Sequence, residues 1–251
     1  MISEKIRKMM DSSSFIRKMF ETGAKLKKEF GENNVFDFSL GNPAMDPPER
    51  FTKVLLEKAA DLHMHRYMPN SGYIDVRKKV ADFISSEQST KVLSGNIVMT
   101  SGAGGALNAV LKTLINPGDK IIASIPCFME YKFYCDNHGG ELELVEGEAD
   151  FNLDITAIER AITKDTAAVI INSPNNPSGR IYPEKTLKDL SEMLIKKSID
   201  IGRTVYLISD EPYRKIVYDD VIVPSVMDSY ENSIICTSYS KDLSIPGERI
   251  G

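Results

Sequence analysis

Apolar positions along the chain have two textures. In the first ninety or so residues they recur at helical spacing among charges. Ile6, Met9, Met10, Ile16, Met19, Phe20 and Leu26, broken around the serines at 12–14, predict an N-terminal arm and a helix. Residues 36–43 (FDFSLGNP) alternate apolar and polar side chains before Gly and Pro, predicting a short strand that runs into a loop. Two amphipathic helices are predicted to follow, near 48–63 and 73–88. From Asn96 short β-branched runs take over (IVMT, KIIASI, ELELV, AAVIIN, TVYLIS and SIICTS), with helical patterns at 103–114, 129–137, 155–162 and 183–196 between them. That alternation predicts βαβ units and an α/β fold with a mostly parallel central sheet. In such sheets ligands bind beyond the carboxyl ends of the strands. The segments just after the runs are SGAGGAL, PCF, SPNNPSG, DEPY and SYSK.

Composition narrows the classes. The 251 residues carry 31 basic and 36 acidic side chains, a formal net charge of -5, which gives no long-range attraction to nucleic acid or anionic lipid. Any bound anion must be held by a local site. Cys127, Cys135 and Cys236 are odd in number and have no CxxC or Cys/His ligand spacing, arguing against a disulfide framework and a structural zinc and for the reducing cytoplasm. His63 and His65 have no third ligand at metal spacing and read as surface histidines, so no metal is expected. No apolar stretch of signal-peptide or membrane-spanning length is present. The final GERIG has the texture of a strand beginning, which reads as a cut through a larger fold.

Several segments carry chemistry. TSGAGGAL places backbone N–H groups at a helix N-terminus, a geometry that cradles phosphate; it matches neither the dinucleotide fingerprint nor a P-loop, and a plain strand-to-helix turn would look the same. In SPNNPSG, two prolines and Gly179 fix a turn from which Asn176 can aim its amide into the crevice. Asp210 directly follows the apolar run TVYLIS, where a carboxylate is either a cap or a partner for a buried cation. Glu211 is its neighbour, and along an extended chain only one of the two can face the site. Lys241 follows Ser238 and Ser240, with Arg249 eight residues on: an anion site beside an amine whose pKa desolvation and nearby positive charge would lower.

SGAGGAL, SPNNPSG, DEPY and SYSKDLSIPGERIG, in this order, make the chain resemble the class I/II aminotransferases, fold-type I pyridoxal-phosphate enzymes, over nearly its whole length. The resemblance implies a three-layer α/β/α domain over 46–251, preceded by an arm and part of a small domain in 1–45, and truncation before a C-terminal small domain. It implies that Lys241 forms a Schiff base with the cofactor and then moves the substrate proton. Asp210 would pair with the protonated pyridine nitrogen, and Tyr213 and Asn176 would bond the ring oxygen. The phosphate would be held by the Ala103 and Gly104 amides, Ser238, Ser240 and Arg249, and Phe128 would stack on the ring. Tyr67 would reach the phosphate of a neighbouring subunit in a homodimer, and Gly41 with Asn176 would face the substrate. Family members often have a polar side chain where this chain has Gly104, so the contact here is expected from backbone alone.

The implied activity is ping-pong transfer of an amino group between an amino acid and a 2-oxo acid. A carbon–sulfur β-lyase on the same scaffold is the alternative. A cofactor-sensing regulatory domain would need a DNA-binding segment, and no basic helix-turn-helix pattern is seen.

Overall fold

The computed structural model describes residues 2–7, 14–38 and 41–251; Met9, Met10, the serines at 12 and 13, and positions 39–40 of the predicted strand lie outside the described residues. The backbone divides into two compact units, Met1–Ala44 and Met45–Gly251.

In the first unit, helix α1 (Ser14–Phe30) ends with Lys27 and Lys28, whose charges oppose the negative end of the helix dipole. Lys27 also reaches Asp37 at 2.8 Å. The strand expected from residue 36 is not formed over 36–38: Phe36 and Phe38 are 84% and 94% exposed. Alternation makes a strand only where a sheet covers its apolar face, and among the described residues this unit offers none.

The second unit holds the sheet. Helices α2 (Glu49–Ala59), α3 (Ile74–Glu87) and α4 (Gly102–Leu114) precede it. Then come β1 (Lys120–Ile125), α5 (Tyr131–Asp136), β2 (Glu141–Glu146), α6 (Ile155–Ala161), β3 (Thr166–Asn172), α7 (Glu184–Ile201), β4 (Tyr206–Asp210) and β5 (Ser233–Cys236). The strand order is β2-β1-β3-β4-β5, with every pairing parallel. Parallel neighbours require crossovers; α5, α6 and α7 supply those from β1 to β4, and the helix-free segment 211–232 supplies the one to β5.

Alternation along each strand sorts side chains into two cores. Ile122, Val169, Ile171 and Leu207 pack with Ile158, Leu187, Leu190 and Leu194 of α6 and α7. Ile121, Ala123, Ala168, Ile170 and Ile208 pack with Leu107, Leu111, Tyr131 and Cys135 of α4 and α5. The sheet is thus the middle layer of an α/β/α sandwich. β3 lies at its centre with all seven residues buried, as expected for a run apolar on both faces.

One predicted strand is missing from this sheet. IVMT (97–100) is extended but unpaired with β5, because a cleft of about 710 Å³ lined by Val98, Met99, Phe83 and Ile235 separates them. Its end is tied elsewhere: Thr100 and Gly251 exchange backbone hydrogen bonds at 2.7 and 3.1 Å, and Ser101 bridges Ile250 in antiparallel sense. Among the described residues no helix is long and apolar enough to cross a membrane, and no group of three or more His, Cys, Asp or Glu could hold a metal.

Candidate active site

The carboxyl ends of four strands deliver the chemistry-bearing side chains to one edge of the sheet. β4 ends on Asp210, whose carboxylate projects toward the α4/α5 layer. There Oδ2 accepts a 2.7 Å hydrogen bond from the Tyr131 hydroxyl, while Oδ1 is buried and bonded to no protein group. Burial pushes the Asp210 carboxyl up to about 6; the Tyr131 bond opposes this and the charge of Glu211 adds to it. Glu211, one residue on, points to the opposite face. Its Oε1 accepts from the Ser209 hydroxyl at 2.7 Å and its Oε2 from Arg214 at 3.2 Å. The alternation expected of an extended chain therefore separates the two, and Asp210 is the one left with an open oxygen.

At the end of β3, Asn172 donates to the Asp210 carbonyl at 2.7 Å and accepts from the backbone N–H of Asn176, so one buried amide fixes both the strand end and the following turn. That turn, with cis bonds before Pro174 and Pro177, carries Asn176, whose amide donates to the Tyr213 hydroxyl at 3.3 Å. The Lys241 ammonium lies 6.0 Å from the centroid of the Tyr213 ring. Burial lowers the Lys241 pKa, the direction a nucleophilic amine needs, and desolvation is its cause; the expected push from nearby positive charge does not contribute. After β1, the Phe128 ring packs edge-on against Tyr131, centroids 5.6 Å apart at 84°.

The far wall is the N-terminus of α4. Its cap residue Ser101 makes no side-chain capping bond, and while the Gly102 N–H donates to the Thr100 carbonyl at 3.0 Å, the amides that follow are left to another acceptor. Gly102 has φ of 72°, a backbone conformation that requires glycine, and a Cβ there would lie 2.8 Å from Nη2 of Arg249. Arg249 is itself held at a left-handed φ of 54°, an uncommon conformation for a non-glycine, and its guanidinium lies over the helix start. Ser238 and Ser240 are buried in the loop leading to Lys241. Amides and a guanidinium placed in this way can receive an anion.

A family model of class I and II aminotransferases matches residues 33–251. The chain belongs to this family. It is 30% identical over 219 residues to a probable aspartate aminotransferase of Methanocaldococcus jannaschii, covering 87% of this chain and 56% of that protein. It is 28% identical to an aspartate aminotransferase of Pyrococcus horikoshii, covering 98% and 60%. Among solved structures, an amino transferase from Eubacterium rectale superposes with a TM-score of 0.93 at 40% identity, covering all of this chain and 64% of that one. The aspartate aminotransferase of Thermus thermophilus with maleate gives 0.84 at 26% identity, covering 94% and 60%. The chain thus spans little more than half the length of the curated relatives it matches. Aminotransferases of this family depend on pyridoxal phosphate.

Of the residues singled out in the sequence, Ala103, Gly104, Phe128, Asn176, Asp210, Tyr213, Ser238, Ser240, Lys241 and Arg249 all lie at or just beyond the carboxyl ends of the strands or at the α4 start. Tyr67 does not join them; it stands fully exposed after the turn Leu62–His65. Gly41 belongs to the Met1–Ala44 unit and is exposed. Sequence reasoning missed Tyr131 and Asn172, the two residues that hold Asp210 in place. The signal available for Asn172 was a polar residue closing an otherwise apolar strand; for Tyr131, no local pattern separates it from a core tyrosine.

Proposed function

We propose that this chain is the cofactor-binding part of a pyridoxal-phosphate-dependent aminotransferase that moves an amino group between an amino acid and a 2-oxo acid. The observation that carries this reading is the open, buried Oδ1 of Asp210, an anionic acceptor that calls for a cationic N–H of the kind a protonated pyridine offers. The first-turn amides of Ala103 and Gly104, with Ser238, Ser240 and Arg249, fit the phosphate at the other end. When bound, the cofactor supplies an electrophilic aldehyde and a ring that takes up the electron pair left when a Cα–H bond breaks.

This chain's residues do the rest. Lys241, its amine freed by a lowered pKa, would hold the cofactor through its aldehyde carbon, the carbonyl oxygen leaving as water, and its Nζ would take the proton from the substrate Cα and return it. Asp210, ionised, would hold positive charge on the ring nitrogen, so that the ring could draw electrons. Tyr213 and the Asn176 amide, already bonded to each other, form the hydrogen-bonding wall for the ring oxygen. Phe128 packs on the ring face. Tyr67, exposed along with Leu62 and Met68, contributes to the phosphate site of a second copy in a homodimer, and Gly41 borders the substrate. Residues 1–45 and 46–251 serve as arm and cofactor domain. The three free, buried thiols suit the reducing cytoplasm. Relatives named for aspartate, prephenate, N-acetyl-LL-diaminopimelate and aromatic amino acids share this likeness, so it supports the reaction class rather than one donor.

The test is to add pyridoxal phosphate, reduce with borohydride and locate the adduct by peptide mass. The expected adduct is confined to Lys241 and absent from Lys241→Ala; labelling spread over surface lysines would overturn the assignment. Transfer to 2-oxoglutarate identifies the aminotransferase, whereas pyruvate and ammonia from a cysteine conjugate would make it a β-lyase.

A further inference from the structure

The anion cradle at the start of α4 has a wall that the glycines alone do not explain. A Cβ built on Gly104 would lie 3.0 Å from the Tyr134 hydroxyl oxygen and 3.7 Å from Cζ of the same ring, with no other atom beyond its chain neighbours and its own helix backbone within 4 Å. A Cβ on Gly102 would meet Arg249 at 2.8 Å. Two glycines one residue apart are thus bare for two different side chains, a guanidinium at one and a phenol at the other. Both groups stand beside first-turn amides that Ser101 does not cap.

We infer that the Tyr134 hydroxyl is a phosphate ligand, donating a hydrogen bond to the anion held by the α4 amides and supplying the polar contact that residue 104, as glycine, cannot. This rests on the aminotransferase reading for the identity of the anion as cofactor phosphate.

Three features support it. The ring is only half-buried and its hydroxyl points at the place a residue 104 side chain would take, so it faces the open turn. Burial and the charges of Glu130 and Asp210 raise its pKa while Arg249 opposes them, so it is a protonated donor at neutral pH and lies within electrostatic reach of the guanidinium. Its position is also fixed. Asn108 of α4 donates to the Gly104 carbonyl at 2.8 Å and accepts from Asn137, the residue capping α5, at 3.2 Å, which ties the helix that carries Tyr134 to the turn it faces. Gly104 and Tyr134 therefore act as a matched pair: the side chain is missing at one so that the hydroxyl can stand at the other.

The measurement is the affinity of the chain for pyridoxal phosphate, for pyridoxal, which lacks the phosphate, and for inorganic phosphate alone. Tyr134→Phe keeps the ring and is expected to weaken pyridoxal phosphate and inorganic phosphate by roughly tenfold or more, the scale of one hydrogen bond to a charged acceptor, while leaving pyridoxal unchanged. Gly104→Ser is expected to weaken phosphate binding beside Tyr134, where its Cβ is crowded. In the Tyr134→Phe background it should restore binding, because a hydroxyl on residue 104 enters the vacated space. That reversal of sign is not expected of a purely structural tyrosine. Unchanged phosphate affinity in Tyr134→Phe, or equal losses for pyridoxal phosphate and pyridoxal, overturns the inference. If the native chain binds phosphate but forms no adduct at Lys241, the aminotransferase reading fails, and Tyr134 is still judged by the inorganic phosphate comparison.

Discussion

Asp210 and Glu211 are neighbours in sequence, both buried, and opposite in design. On the α6/α7 side of the sheet, Glu211 is saturated: Ser209 and Arg214 donate to its two oxygens, and Arg214 also bonds the carbonyls of Val223 and Pro224, pinning the loop before β5. On the α4/α5 side, Asp210 has one donor, Tyr131, and one oxygen with none. Both carboxyls are raised by burial, but a positive charge pulls only Glu211 back down. A buried polar group is normally satisfied because leaving it unmade costs about 1–3 kcal/mol. Glu211 follows that rule as part of the scaffold, while Asp210 breaks it at the edge where ligands bind. On the proposed reading, the contrast separates a carboxylate that holds the fold from one kept in reserve for chemistry.

The sharpest way to break the contrast is to neutralise each in turn. Asp210→Asn should lower kcat by about 10² to 10³-fold, the scale of removing one preorganised electrostatic partner, with cofactor still bound. Single-turnover kinetics at saturating amino acid check this, and a near-native rate would point to another carboxylate. Glu211→Gln should instead leave the Arg214 charge uncompensated and cost about 3 kcal/mol of stability, measured by urea unfolding, with the rate per folded molecule unchanged.

The cofactor-free protein should show an opposite stability effect, of similar size, at Asp210. Its folded pKa of about 6 lies above the ordinary 3.8, so the native state binds the proton more tightly than the unfolded chain does. Stability from this group is therefore full below pH ~4 and is lost as pH rises through ~6, about 3 kcal/mol in all. Asp210→Asn escapes that loss, so its stability advantage over the native chain should grow between those pH values and then level off; an advantage that does not vary with pH would remove Asp210 as its source. The smallest effect is expected from Tyr131→Phe. Loss of its hydrogen bond lets the Asp210 pKa rise further, moving the acid limb of the activity profile toward neutral pH and shifting the carboxyl carbon titration in NMR the same way.

Sequence alone located the strand ends because parallel strands buried on both faces are almost continuously apolar, and the polar residues that interrupt them stand out. Asp210 after TVYLIS and Lys241 after SIICTS are visible for that reason. Alternation also foresaw that Asp210 and Glu211 would part, though not which would stay open, since this depends on Arg214 and Tyr131. Tyr131 bonds a residue 79 positions away, a relation no local periodicity encodes. IVMT and the segment from residue 36 were misjudged for a related reason. Their patterns announce strands, but pairing needs a neighbouring edge, and the cleft beside β5 and the exposed Phe36 and Phe38 show that none is in place.

The paired hydrogen bonds of Thr100 and Gly251 also bear on the order in which the molecule assembles. They join the approach to α4 with the segment that follows Arg249, so every strand and crossover lies inside the loop they close. Closing so long a loop earns its contacts late, after the intervening parallel pairings have formed. The two halves of the proposed anion cradle, Gly102 and Arg249, sit on either side of this closure. Gain of anion affinity during refolding should therefore lag behind the recovery of helical signal, which makes ligand capture a clock for the final step of folding.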